Sequence, residues 1–179
     1  MTATDEDLAQ AAARGDRDAF GLLVERNYDR IFRLAFRLSG SRADAEDLTQ
    51  DICAALPGKL QGWRGQARFT TWLYRVVVNA SHDLRRRRAS HARAASGWGE
   101  VELARQAEAA ETTEALSWLT TAMAALPNDL RDTAVLVVSE DQSHADTAAI
   151  LGVSEGTVSW RMSEIRKRLR AMAEQEVRQ

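Results

Sequence analysis

Trp72, Arg75, Asn79, His82 and Arg86 recur at steps of three and four residues, while Leu73, Val76, Val77, Ala80 and Leu84 occupy a different helical face. A helix with one apolar side and one side of arginine, asparagine and histidine suits contacts to phosphates and base edges. Trp63 and Phe69 lie just ahead of this stripe, with Lys59, Arg64 and Thr71 among them. Aromatic rings interleaved with cations match the chemistry of unpaired DNA, because rings stack on bases and guanidinium groups track the backbone. Each stacked base contributes about 1–3 kcal/mol. The competing use for Phe69 and Trp72 is in a core. Arg85, Arg86, Arg87 and Arg88 form a cationic run that would serve phosphates, or the negative end of a helix dipole.

Two other constellations stand out. Asp44, Asp47 and Asp51 fall at i, i+3 and i+7, flanked by Glu46 and Gln50. They form an acidic stripe that reads either as a solvated face or as a docking surface for a basic partner. Near the other end, SHADTAAILGVSEGTVSWRMSEIRKRLR spans Ser143 to Arg170 and has the spacing of a helix-turn-helix. Ala148 permits a close helix crossing, Gly152 supplies the turn and Val158 docks the second helix. Ser143 with Asp146 forms a capping-box pattern, and Ser154 is a suitable N-cap. Val158, Met162, Ile165 and Leu169 step at helical intervals, so they face inward. Ser154, Glu155, Thr157, Ser159, Trp160, Arg161, Ser163, Arg166 and Lys167 are then the candidates for a DNA groove.

These residues need helices to position them, and the composition supplies little else. Of 179 residues 45% are hydrophobic, with two prolines and ten glycines, a chain able to build small helical cores. The net charge of −2 argues against a general nucleic-acid coat. Lys59 to Arg93 nevertheless holds many arginines and one acid, Asp83, whereas Glu100 to Glu114 is acid-dominated. The periodicity predicts helices over Asp16–Leu38, Ala43–Leu56 (ended by Pro57-Gly58), Thr70–Arg88, Glu114–Leu126 and Asn128–Ser139. Leu130, Ala134, Val137 and Val138 point inward in the last of these. Residues 89 to about 112 lack apolar periodicity and read as a linker. The sole cysteine, Cys53, excludes an internal disulfide, and His82, His91 and His144 have no metal-ligand spacing. No cofactor motif, phosphate loop or nucleophile–base pair is visible, so no catalysis is expected. The polar, acidic N-terminus and the lack of a long apolar run make the cytoplasm the default, without membrane insertion.

DAEDLTQDICAAL, then WRGQARFTTWLYRVVVNASHDLRRRR, then ALPNDLRDTAVLV and the helix-turn-helix together resemble the extracytoplasmic-function (ECF, group 4) sigma factors of bacterial RNA polymerase, in the sigma-70 family. The resemblance runs through nearly the whole chain in the family's order. It implies an all-α fold of two small helical domains: σ2 over residues 1–92 and σ4 over 114–179, joined by a flexible linker over 93–113. It also implies promoter recognition for core polymerase, in processes such as stress response. Asp44, Glu46, Asp47, Gln50 and Asp51 match the segment that docks on the clamp helices of the largest subunit.

The same resemblance assigns Lys59 to Arg88 to opening and reading the −10 element. Asn79 and the loop from Trp63 to Phe69 are then the candidates for a pocket that takes an extruded base; unstacking costs a few kcal/mol, which a shaped pocket offsets. The C-terminal module would read the −35 element and contact the flap of the second subunit. An anti-sigma factor and a monomeric free state are further implications. The chain departs from the family's common Gly-Thr-Val-Lys-Ser-Arg run with Gly156-Thr157-Val158-Ser159-Trp160-Arg161, and Glu164 stands where arginine is frequent. The alternative is a stand-alone helix-turn-helix regulator of duplex DNA. The aromatic–arginine helix argues against it, because a duplex reader has little need of a stacking platform.

Overall fold

Thr4 starts the first helix with a reciprocal cap: its hydroxyl accepts from the Asp7 backbone N–H at 3.1 Å, and the Asp7 carboxylate accepts from the Thr4 N–H at 3.0 Å. In the computed structural model, residues 3–95 and 114–176 are described. The chain divides into two units, Met1–Ala104 and Arg105–Gln179.

The first unit contains α1 (Asp5–Ala13), α2 (Arg17–Ser39), α3 (Arg42–Leu60) and α4 (Phe69–Ala95). Asp16 caps α2 through Asp18 and Ala19 N–H groups, and Gly40 ends it in the left-handed region at φ 71°. Ser41 then caps α3. Leu23, Ile31, Leu34 and Leu38 of α2 pack with Leu48, Ile52, Leu56 and Leu60 of α3 and with Phe69, Leu73, Val77 and Val78 of α4, all buried. Each such side chain contributes about 1.5–3 kcal/mol of burial.

Helix α1 was not anticipated, and it is bound by charge as well as by Leu8 and Ala9. Asp5 accepts from Asn27 Nδ2 at 3.0 Å and pairs with Arg26 at 3.5 Å. Glu6 Oε1 accepts from the backbone N–H of Phe69 at 3.0 Å, so the first helix caps the fourth. The break expected at Pro57-Gly58 does not occur. Helix α3 runs through Pro57 for one more turn because Leu56 and Leu60 on either side are both buried. Likewise α4 continues past Arg88 to Ala95. The expected linker is thus helical in its first residues, and its remainder, 96–113, lies outside the described residues.

The second unit contains α5 (Glu114–Ala125), α6 (Asn128–Ala134), a π turn (Val135–Ser139), α7 (His144–Leu151) and α8 (Glu155–Glu176). Its core joins Leu126, Leu130 and Ala134 to Ala148, Val158, Met162 and Ile165, with Leu169 packed against it. Arg131 donates to the carbonyls of Met123 and Leu126 at 3.0 and 3.1 Å, closing the end of α5. The π turn corrects one expectation. Its wider turn, with Glu140 N–H on the Val135 carbonyl at 3.0 Å, rotates the chain so that Val135 and Leu136 are buried. Val138, expected inward, is 70% exposed.

Between α7 and α8 the chain turns at Gly152, whose φ is 67°. A Cβ there would meet nothing within 4 Å, so substitution strains the backbone without a clash. Gly152→Ala is expected to cost the second unit about 1–2 kcal/mol. A thermal melt followed by circular dichroism should show a loss of about 4–8 °C in Tm for each kcal/mol, while the first unit's transition stays in place.

Candidate nucleic-acid interfaces

The acidic stripe and the cationic helix, read separately from the sequence, line one groove. Asp44, Asp47, Asp51 and Lys59 of α3 form one wall, and Asn79, Asp83, Arg87 and Arg88 of α4 form the other, over a floor that includes Leu48, Ile52 and Leu84. Helix α4 runs back along α3, so the start of one meets the far part of the other: Arg88 Nη2 donates to Asp44 Oδ1.

That pair changes the role of both residues. The Asp44 side chain is 8% exposed, and it sits in the first turn of α3, where a carboxylate complements the helix dipole. Asp44 therefore fastens α4 to α3 and is not an open docking group, a correction to its expected role. Asp47, Gln50 and Asp51 remain exposed. Glu46 is exposed too and pairs with Arg42 one turn earlier at 2.9 Å.

The arginine run is similarly divided. Arg86 pairs with Asp83 on its own helix and Arg88 with Asp44, Arg85 is half-buried, and Arg87 is exposed on the groove. Arg75 and Asn79 are exposed on α4, as are Lys59 and Arg64 before it. Arg68, not singled out from the sequence, is also exposed. Its place between Gly65 and Phe69 in the same loop was the available signal.

The aromatic platform needs correction. Trp63 and Phe69 are edge-on at 5.9 Å between ring centroids, and Phe69 and Trp72 lie 5.7 Å apart. Phe69 is 0% and Trp63 9% exposed, so neither offers a face to a base. Their contact is worth about 0.5–1.5 kcal/mol beyond burial, and it pins the loop between α3 and α4. Thr71 is buried as well, and Trp72 is half-buried. Cys53 is half-buried, and burial pushes its thiol up, away from the reactive thiolate.

In the second unit the caps are as expected. Ser143 Oγ accepts from the Asp146 N–H at 3.0 Å, and Ser154 Oγ from the Thr157 N–H at 3.1 Å. Ser154 and Thr157 are joined hydroxyl to hydroxyl at 2.8 Å, and Ser159 Oγ meets His144 Nδ1 at 3.0 Å. Arg161 is the second correction at this surface. It turns back to α6, reaching Asp129 at 3.5 Å and Thr133 Oγ1 at 3.4 Å, with its side chain largely buried. It holds the helix in place and does not project toward a groove. Glu164 binds Arg168 at 2.8 Å, and that hydrogen bond holds its carboxyl below the usual glutamate range. Glu155, Trp160, Ser163, Arg166 and Lys167 remain exposed on α8.

Known proteins share this arrangement. Residues 23–91 match the family model for Sigma-70 region 2, and residues 116–169 match Sigma-70, region 4. The ECF RNA polymerase sigma factor SigM of Mycobacterium tuberculosis is 34% identical over 166 residues, covering 93% of this chain and 83% of that protein. Among solved structures, CnrH in complex with the cytosolic domain of CnrY superposes with a TM-score of 0.71 at 26% identity, covering 95% of this chain and 97% of that one. The fold is also that of the sigma factor RpoE of Bartonella quintana, in complex with the anti-sigma factor NepR: TM-score 0.73, 24% identity, 87% of this chain and 96% of that one.

The Asp44–Arg88 pair generates a direct test. Arg88→Ala leaves a buried carboxylate without its cation and should cost about 1–3 kcal/mol in urea unfolding. Arg86→Ala, which removes an exposed pair within one helix, should cost about 0.5 kcal/mol or less. In an Asp44→Asn background the Arg88→Ala penalty should largely vanish; an unchanged penalty would show that the pair does not fasten the helices.

Proposed function

The chain belongs to the ECF sigma factors of the sigma-70 family, and from that premise we propose how its surfaces divide the work of starting transcription. An ECF sigma factor directs core RNA polymerase to promoters. The polymerase supplies the nucleotide chemistry; this chain contributes recognition and strand opening, without a reaction of its own, in the cytoplasm. No helix among the described residues is long and apolar enough to cross a membrane.

The σ2 domain comprises residues 1–92 and the σ4 domain residues 114–179, with 93–113 as the linker. Asp47, Gln50 and Asp51, with Glu46 at the edge, dock on the clamp helices of the largest subunit, while Asp44 supports them from beneath. Asn79 and the cations Lys59, Arg64, Arg68, Arg75 and Arg87 face the −10 element. Trp63 and Phe69 shape that surface from inside, and Trp72 is the ring best placed to reach a base. Exposed groups of α8 read the −35 element, and the rest of σ4 meets the flap of the second subunit. Because similar chains are solved with NepR and with the cytosolic domain of CnrY, we infer that an anti-sigma protein restrains this one as well.

The observation that carries this reading is the ordered pair of region matches, one on each unit, with exposed cations in both. A stand-alone duplex-DNA regulator would have no use for the first. Run-off transcription with purified core polymerase should depend on this protein. Normal core binding without promoter-specific starts would overturn the reading. Reversing two exposed charges, Asp47→Arg with Asp51→Arg, should weaken core binding about tenfold or more, since like charges brought together cost several kcal/mol. The Tm should not move.

A further inference from the structure

Trp160 is 62% exposed, an unusual state for the largest apolar side chain on a helix that has a packed core to join. It is the sixth residue of α8, in the part of a second helix that contacts base edges in this motif. It lies about 200° around the helix from buried Val158, so no rotamer returns it to that core. On the same side of the helix Gly156 and Thr157 precede it by about one turn, and Ser163 and Glu164 follow.

Most of the polar groups around it are already engaged, while Glu155 and Ser163 are exposed. Ser154 and Thr157 hold the cap, Ser159 is joined to His144, Arg161 is turned onto α6 and Glu164 is neutralised by Arg168. The usual bidentate readers of guanine or adenine are therefore missing from the first turns of α8. A long apolar side chain stands in their place. The indole has one donor and no acceptor, and the one apolar feature that base edges present in the major groove is the C5-methyl group of thymine. Arg166 and Lys167 lie further along, exposed, where they serve phosphates and set position without reading sequence.

We propose that Trp160 determines specificity in the upstream promoter element by packing its indole on a thymine methyl group in the major groove. This rests on the sigma-factor reading and deepens it: the element is read at that position by an apolar contact.

The test uses holoenzyme assembled from the full chain and core polymerase, first to select bound duplexes from a random library. In a selected duplex each thymine is then replaced in turn by deoxyuridine, which removes only the methyl group. At one or two upstream thymines binding should weaken about fourfold, the worth of one buried methyl group. With Trp160→Ala the same replacement should have no effect, and with Trp160→Phe a part of it should remain. Because each variant is compared with itself on the two DNAs, a general loss of affinity does not obscure the result. Holoenzyme that binds promoters but has no methyl-sensitive upstream thymine overturns this inference alone. So does methyl sensitivity that survives in Trp160→Ala, or a Trp160 that is buried by a polymerase or regulatory protein in the promoter complex. Failure to form a promoter complex on any DNA overturns the sigma-factor reading together with it.

Discussion

The closure of α4 on α3 is the constraint on which the rest of the first unit depends, and a buried carboxylate holds it. The two helices sit side by side around one groove, with Asp44, Asp47, Asp51 and Lys59 on one wall and Asn79, Asp83, Arg87 and Arg88 on the other. Apolar contacts along the floor supply most of the energy but little specificity of register. A charge pair such as Asp44 with Arg88 adds register, since a slip of one helical residue would strand the buried charge. The pair encloses the Asp44 carboxylate, while the Arg88 side chain stays 61% exposed. Asp47, Gln50 and Asp51 on one wall, and Arg75 and Arg87 on α4, are the charged and polar groups left exposed.

The second unit solves a smaller problem with backbone devices. Gly152 turns the chain, Ser143 and Ser154 satisfy the first amide groups of the two helices, and Arg161 ties α8 to α6. Several polar side chains at the start of α8 are spent on this internal wiring. The surface left for DNA is in consequence less basic than the run of charged residues implies, and more apolar. Elsewhere in the unit the π turn brings Val138 outward.

What was legible in the sequence is what is local. Ser143, Gly152 and Ser154 mark helix ends through interactions within a turn, and all three do so in the structure. The inward stripe from Val158 to Ile165 is local in the same sense. Partners distant in sequence were not legible. Arg161 looks like any outward residue of a recognition helix until Asp129 and Thr133, about thirty residues earlier, are folded against it. Spacing alone does not distinguish a ring that stacks on a base from one that fills a core, so Trp63 and Phe69 read as a platform. Pro57 read as a break because a proline inside a helix costs about 3 kcal/mol; burial of Leu56 and Leu60 offsets it. Helix α1 is different. Thr4 and Asp7 carry a capping signal of the same kind found elsewhere in the chain, in a segment too short to show helical periodicity.

The bond from Glu6 to the Phe69 amide has a temporal side. A ribosome releases α1 some sixty residues before the helix it caps, so for that interval Glu6 has nothing to bind and the first turn of α4 does not exist. The cost of bringing the two ends together grows only logarithmically with the chain between them, and α2 and α3 shorten the gap as they pack. The unit is thus closed by its oldest segment meeting its newest. Until Phe69 emerges, α1 is an attached but unfinished part, and completion of the first unit waits on the synthesis of α4.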